Sequence, residues 1–337
     1  MRSFSTKFVA AVAAGVMAFS LAACSGDTSS SSASSGENSA TEQQGQWPRT
    51  IKHELGETTL DHQPKKIANT ALSATGTLLA MDAPLAATAA TNPSDVTDDK
   101  GFFSQWAKVA DEKGVEVLYP GLEFDLESLI AQDPDLVIVS TSGADSVSDQ
   151  YQQISEKFPT IAIDYSKQSW QDLAKELGYA LGLEENAEKA IKEFDEYVAE
   201  QKKKIHPAEG GASIVSYNGP GEEQGIAKLT GPHSQLLSDL GFDVKEAPEG
   251  MDTSKQARKD FSFISYENLT KGIQGDTVFL FSADEKKVEE FMKDPLLANL
   301  PAVKEHRVYP LGLTSFRLDP YSARDFVDAV VSATSAS

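Results

Sequence analysis

A chain of 337 residues is long enough for two lobes around a sizeable core. Its 51 acidic residues against 30 basic ones give a formal charge of −21, which argues against nucleic acid and against adsorption to anionic lipid. A small anionic ligand stays open: at ~0.15 M salt the Debye length is about 8 Å, so cations lining a cleft outweigh acids on the far surface.

The N-terminus carries two basic residues, Arg2 and Lys7, and then no charge from Phe8 to Ala23, the layout of a secretory signal. That apolar stretch would form a helix of about 24 Å, short of the ~30 Å hydrocarbon core of a bilayer. It ends in Leu21-Ala22-Ala23-Cys24, and Cys24 is the one cysteine of the chain. The ending resembles the bacterial lipobox, after which cleavage leaves a lipid-modified Cys24 as the new N-terminus. The alternative is an ordinary secretion signal with an incidental cysteine. From Ser25 to Gln46 there is no large apolar residue, so this segment cannot bury enough surface to offset its ordering entropy. It reads as a disordered, Ser-rich tether with a reach of about 25 Å. Residues 1–23 are thus expected to be a lipoprotein signal peptide and 24–46 a lipidated tether. The folded body then stands at the extracytoplasmic face of the cell membrane.

An α/β rhythm follows Trp47. Apolar runs suited to buried strands recur at Ile67–Ala71, Leu85–Ala90, Val115–Tyr119, Asp135–Thr141 and Thr160–Tyr165. Helical stretches lie between them at Ser73–Met81, Phe102–Asp111, Leu126–Gln132 and Ser148–Phe158. The rhythm breaks at Glu184 to Ile205, where no Gly or Pro occurs. There Ala187, Ile191, Phe194, Val198 and Ile205 form one apolar stripe on a long helix, closed by His206-Pro207. Strand runs resume at Ser213–Asn218, Val244–Ala247, Asp276–Ser282 and Arg307–Leu311. Asp319 to Thr334 reads as a closing helix with Asp319 as cap and Pro320 at its first position. The expected fold is α/β, with two lobes of mainly parallel sheet (47–183 and 207–337) joined once, by a bridging helix (184–206).

Catalytic signatures are largely absent from the sequence. There is no GxSxG elbow, phosphate-cradling Gly-rich loop or HExxH, and lipidation would use up the single thiol. His53, His62, His206, His233 and His306 are scattered without ligand spacing. The residues therefore point to binding rather than catalysis, with no cofactor and no metal held by protein ligands.

Five segments carry a more specific signal: Ala71 to Pro84, Asp98-Asp-Lys-Gly-Phe-Phe-Ser-Gln-Trp-Ala-Lys-Val-Ala110, Ser169-Trp-Gln-Asp-Leu173, Asn299-Leu-Pro-Ala-Val303 and Ser315-Phe-Arg-Leu-Asp319. They resemble, in order and over nearly all the folded chain, ferric-siderophore-binding lipoproteins of ABC importers, and most of all the enterobactin-binding branch. The resemblance implies a class III periplasmic-binding-protein-like fold. It also implies a ferric siderophore as ligand, with a catecholate as the expected class, and an ABC permease dimer as partner. Iron would arrive inside its chelator.

A ferric tris-catecholate is a trianion with flat aromatic faces, so it calls for converging cations beside aromatic and hydroxyl groups. Arg317 follows a strand-like run, where α/β sheets present ligand loops, and matches a basic position the family uses. The alternative for Arg317 is a salt bridge to Asp319. Tyr217 and Asn218 end the first strand of the second lobe, and Lys228 and His233 follow. Lys255, Arg258 and Lys259 form a basic cluster that lines the cleft or is a solvated loop. In the first lobe the candidates are Ser73, Thr75 and Trp106, the last equally suited to the core. The chain departs from the enterobactin binder at Asn92-Pro93-Ser94-Asp95, where that protein has an Arg, and near Ala227-Lys228, where it has a tryptophan. The resemblance further implies docking on the permease through Glu127 and Glu267, near helix starts where carboxylates also satisfy amide donors. The competing readings are a haem or corrinoid binder, with Tyr217 or His233 as axial ligand, and a surface enzyme or sensor that no longer transports.

Overall fold

The computed structural model describes residues 46–254 and 258–335. A hairpin of β1 (Arg49–His53) and β2 (Gly56–Leu60) opens the body. It lies beside the first sheet, where the Thr58 hydroxyl donates to the Thr160 carbonyl at 2.6 Å. That sheet contains β3 (Ile67–Asn69), β4 (Leu85–Thr88), β5 (Glu116–Val117), β6 (Leu136–Ser140) and β7 (Thr160–Ile163) in the order β5-β4-β3-β6-β7. All its pairings are parallel. The strands β3, β6 and β7 are buried along their whole length, as expected of strands covered on both faces. Helices α1 (Thr75–Ala80), α2 (Ser104–Glu112), α3 (Leu126–Gln132), α4 (Tyr151–Ser155) and α5 (Trp170–Leu181) alternate with them.

Helix α6 (Glu184–Lys202) then runs about 28 Å. Its buried residues Ala187, Phe194 and Val198 lie on the predicted stripe, and Trp170 meets Phe194 edge-on at 5.2 Å. The N-terminus of the body is fastened where α5 meets α6. There the buried Arg49 pairs with Glu184 at 2.6 Å and its guanidinium lies over the Trp47 and Tyr179 rings.

The second sheet contains β8 (Ala212–Ser216), β9 (Glu223–Ala227), β10 (Phe261–Ser265), β11 (Thr277–Leu280) and β12 (Val308–Pro310), in the order β10-β9-β8-β11-β12. Strands β8, β11 and β12 are parallel, while β9 and β10 extend the sheet antiparallel. Helices α7 (Pro232–Asp239), α8 (Leu269–Gly272), α9 (Glu285–Lys293), α10 (Pro301–Lys304) and α11 (Pro320–Ser335) complete the lobe. Asp319 caps α11 as the sequence predicts, accepting from the amides of Tyr321 and Ser322 at 2.8 and 2.9 Å.

The chain crosses between the lobes along α6 as expected, and the lobes also pack on each other where the α11 end of the second returns to the first. Gln105 on α2 donates to Asp319 at 3.0 Å, and Phe103 meets Phe316 edge-on at 5.0 Å. Farther along, Arg324 lies over the Tyr197 ring of α6 at 4.6 Å. One hydrophobic core accordingly runs from Leu78 and Trp106 through Phe194 to Phe326 and Phe279. The run Val244–Ala247 forms no strand; Val244 makes only an isolated bridge to Ala212. The bridging helix ends at Lys202, short of His206, although Ile205 is still buried. The hairpin, β9, β10 and helices α5, α7 and α9 were not among the predicted elements.

Candidate functional site

The loops leaving β3, β6, β7 and β12 meet on the seam between the lobes. Arg317 sits three residues before α11, with extended backbone, at the end of the Leu313–Phe316 turn. Its guanidinium carbon lies 4.1 Å from the centroid of the Tyr165 ring, which follows β7 in the first lobe. The Tyr165 hydroxyl donates to Asp145 Oδ1, and the Ser73 amide donates to Asp145 Oδ2 at 2.8 Å. Gly143 lets this cluster close, because a Cβ there would overlap the Tyr165 hydroxyl. Burial first and the Asp145 charge second push the Tyr165 phenol well above its ordinary value, so it stays a neutral donor. Next to it, Asp164 is held at about 2; burial opposes its ionisation, but bonds from Lys167, Ser166 and Ser142 outweigh it.

The alternative pairing of Arg317 with Asp319 is absent. Asp319 is buried among its capping amides and Gln105, and burial raises its carboxyl above the usual range. Arg49, Arg258 and Arg307 each meet a carboxylate, whereas Arg317 has an aromatic face and, among the described residues, no carboxylate within 4 Å. Its charge is therefore not neutralised at close range by the described residues.

The other sequence candidates divide. Ser73 joins the cluster through its backbone amide. Thr75 is buried in a network with Asn69 and Thr88 under the β3 and β4 ends. Trp106 is 1% exposed and packs on Phe102 and Phe103, which makes it core. Tyr217 is also core: its hydroxyl donates to Asp294 at 2.7 Å, and its ring meets Phe291. Asn218 holds its own loop through Glu223 and Gln224.

His233 is buried among Phe261, Phe281 and Phe326. Its Nε2 lies 2.7 Å from the Ser315 carbonyl, which can only accept, so Nε2 carries the proton. Nδ1 is left buried without a partner. Burial drives this imidazole down to about 4. His233 thus supports the turn that carries Arg317 and does not face the seam. Trp106, Tyr217 and His233 are corrected from ligand contacts to packing residues, and the haem reading loses both of its axial candidates.

Lys228 pairs with Asp252 at 2.6 Å and donates to the Arg258 carbonyl at 2.8 Å. Arg258 forms a two-point bond with Asp260, at 2.9 and 2.6 Å, and lies over Phe263. Both are exposed or half-buried cations already engaged by an acid. Lys259 is exposed, and Lys255 lies outside the described residues, as do Cys24, the predicted signal and most of the tether.

Glu127 and Glu267 are exposed, and neither is in an ion pair among the described residues. The cap of α3 is Asp125, which accepts from the Glu127 amide at 3.0 Å, so the Glu127 carboxylate is not needed for capping.

A cavity of about 370 Å³ lies elsewhere, between Trp170, Phe194, Val198, Gln235 and Leu318 along α6, and none of the predicted ligand residues lines it. Among the described residues no group of three or more His, Cys, Asp or Glu is arranged to hold a metal. Nor is any described helix long and apolar enough to cross a membrane.

Asp145 and Tyr165 are the members of the cluster that sequence reasoning missed. Tyr165 ends a predicted strand run in the first lobe, the same signal that singled out Ser73.

Known proteins resemble this chain in sequence and fold. A family model described as periplasmic binding protein matches residues 67–312. The ferric enterobactin-binding periplasmic protein FepB of Escherichia coli O6:H1 is 39% identical over 285 residues, 84% of this chain and 89% of that protein. The crystal structure of holo-ViuP superposes with a TM-score of 0.77 at 41% identity, covering 86% of this chain and 95% of that one. The putative ABC transporter substrate-binding lipoprotein YhfQ of Bacillus subtilis is 24% identical over 293 residues, 84% of this chain and 85% of that protein.

Proposed function

Since the chain belongs to the periplasmic binding protein family, we propose that it captures a ferric siderophore of the catecholate class between its lobes and delivers it to an ABC permease dimer. Family membership makes it a substrate-binding component and not an enzyme. The observation that carries the reading is Arg317, a half-buried cation on the inter-lobe seam that meets an aromatic face and, among the described residues, no carboxylate at ion-pair distance. A trianionic chelate supplies the missing counter-charge, and its flat rings suit a guanidinium plane. A charge-assisted contact of this kind is worth about 1.5–3 kcal/mol, or about 10- to 150-fold in affinity. The catecholate class is supported by the likeness to the enterobactin binder, and iron stays coordinated by its chelator throughout.

Residues 1–23 are proposed to be removed as a signal. Cys24 then carries lipid, and 24–46 tether the lobes (47–183 and 207–337, with the bridge at 184–206) to the extracytoplasmic face of the membrane. The lipoprotein relative supports this arrangement. Glu127 and Glu267, each exposed and free of ion pairs among the described residues, are proposed to meet the permease.

The test is a titration of intrinsic fluorescence from Trp47, Trp106 and Trp170 with ferric enterobactin, a ferric hydroxamate and haemin. Saturable quenching by the catecholate at the lowest concentration supports the reading. Preference for the hydroxamate removes the catecholate assignment. A Soret shift with haemin and no siderophore response overturns the whole.

A further inference from the structure

We propose that Tyr165 and Asp145 of the first lobe position Arg317 of the second, so that siderophore recognition runs through a Tyr165–Arg317 stack. The inference rests on the reading of this seam as a ferric-siderophore site. An arginine side chain without a carboxylate partner samples many rotamers, and each ligand contact must then overcome that freedom. Here the freedom is already restricted. The Tyr165 ring covers one guanidinium face at 4.1 Å.

The ring is itself held at three points. It is 5% exposed, its hydroxyl is bound to Asp145, and Gly143 lies against that hydroxyl. Asp145 is fixed in turn by the Ser73 amide at 2.8 Å. The carboxylate acts from the far end of the phenol, where accepting a hydrogen bond enriches the ring in electron density and strengthens its attraction for a cation. It stands beyond ion-pair distance of Arg317, so it orients the guanidinium without neutralising it. One face being covered by Tyr165, the opposite face and the N–H edges remain for the ligand. A catecholate ring would stack there as the third layer, with its anionic edge toward the N–H groups. Tyr165 is thus a positioning residue: it shapes the site through Arg317, and the two lobes meet at the point where the ligand is read.

The experiment is a double-mutant cycle on the mature protein, with ferric enterobactin as probe and thermal unfolding measured on the same preparations. Tyr165→Leu removes the ring, Tyr165→Phe keeps it and removes the bond to Asp145, and each is combined with Arg317→Ala. Tyr165→Leu should weaken binding by about 2- to 30-fold. Arg317→Ala made in that background should then cost less than it does in wild type, because the two changes disrupt one interaction. Tyr165→Phe, which preserves the ring's packing but leaves buried Asp145 without one donor, should lower the melting temperature and weaken binding by a smaller factor than Tyr165→Leu. Multiplicative losses, or wild-type affinity in both folded Tyr165 variants while Arg317→Ala is impaired, would overturn the inference alone. Wild-type protein that binds no ferric siderophore would overturn the functional reading and this inference with it.

Discussion

Replacing His233 by glutamine should remove a specific part of the protein's sensitivity to acid. In the folded chain the ring is enclosed by Phe261, Phe281 and Phe326 and held at about 4, against 6.5 when unfolded. Above about pH 6.5 it is neutral in both states and contributes no pH dependence. Between 6.5 and 4 the unfolded state binds a proton that the folded state refuses, so stability falls as the pH falls. At about 1.4 kcal/mol per pH unit the loss reaches about 3 kcal/mol and then saturates. His53, lowered by its own burial, is present in both proteins and cancels in the comparison. Asp164, held at about 2, gives stability that is lost only below the ordinary carboxylate range, in a separate window. Urea unfolding of wild type and His233→Gln at about pH 7.5, 5.5 and 4 measures the difference directly. The wild type should lose about 3 kcal/mol more than the variant over that range, with the variant starting lower at neutral pH. Parallel losses in the two proteins would refute the placement of a neutral, buried ring under the Arg317 turn.

Three further outcomes are expected. Asp294→Ala strands the hydroxyls of Tyr217 and Tyr266 and should cost about 2–4 kcal/mol in thermal unfolding, with siderophore affinity of the folded fraction unchanged; a specific affinity loss would return Tyr217 to the ligand site. Glu127→Ala with Glu267→Ala should leave the melting temperature and ligand affinity intact while lowering cellular uptake, so full uptake by the double variant would refute the docking assignment. Cys24→Ala should release the protein from membranes after fractionation, and retention of a signal-cleaved variant would count against the lipid anchor.

The parallel strands were legible because β3, β6 and β7 are covered on both faces and read as continuous apolar runs. Strand β9 was not, since Glu223-Gln224-Gly225 carries no such run; its buried Gln224 is satisfied by the carbonyls of Gly219 and Glu222. Helix α5 had a readable start in Ser169, whose hydroxyl caps the Asp172 amide.

At the site, position after a strand picked out Arg317 and Ser73, which the structure brings to one cluster with Tyr165 and Asp145. The same criterion failed for Tyr217, because the side-chain direction is decided by Asp294, 77 residues away. His233 and Trp106 failed for a related reason. Aromatic and imidazole groups suit a ligand and a core equally, and only the surrounding phenylalanines distinguish the two. The packing of the two lobes on each other was hidden as well, because Gln105 and Asp319 are 214 residues apart and carry no shared pattern.

The central claim is that iron reaches the protein inside a chelator. Equilibrium dialysis of the mature chain against labelled iron, supplied either as ferric enterobactin or without a siderophore, separates chelate capture from metal binding. Retention of about one iron per protein with the siderophore, none without it, and a marked loss in Arg317→Ala is the predicted result. Iron held without a chelator, or none held with it, would contradict the account.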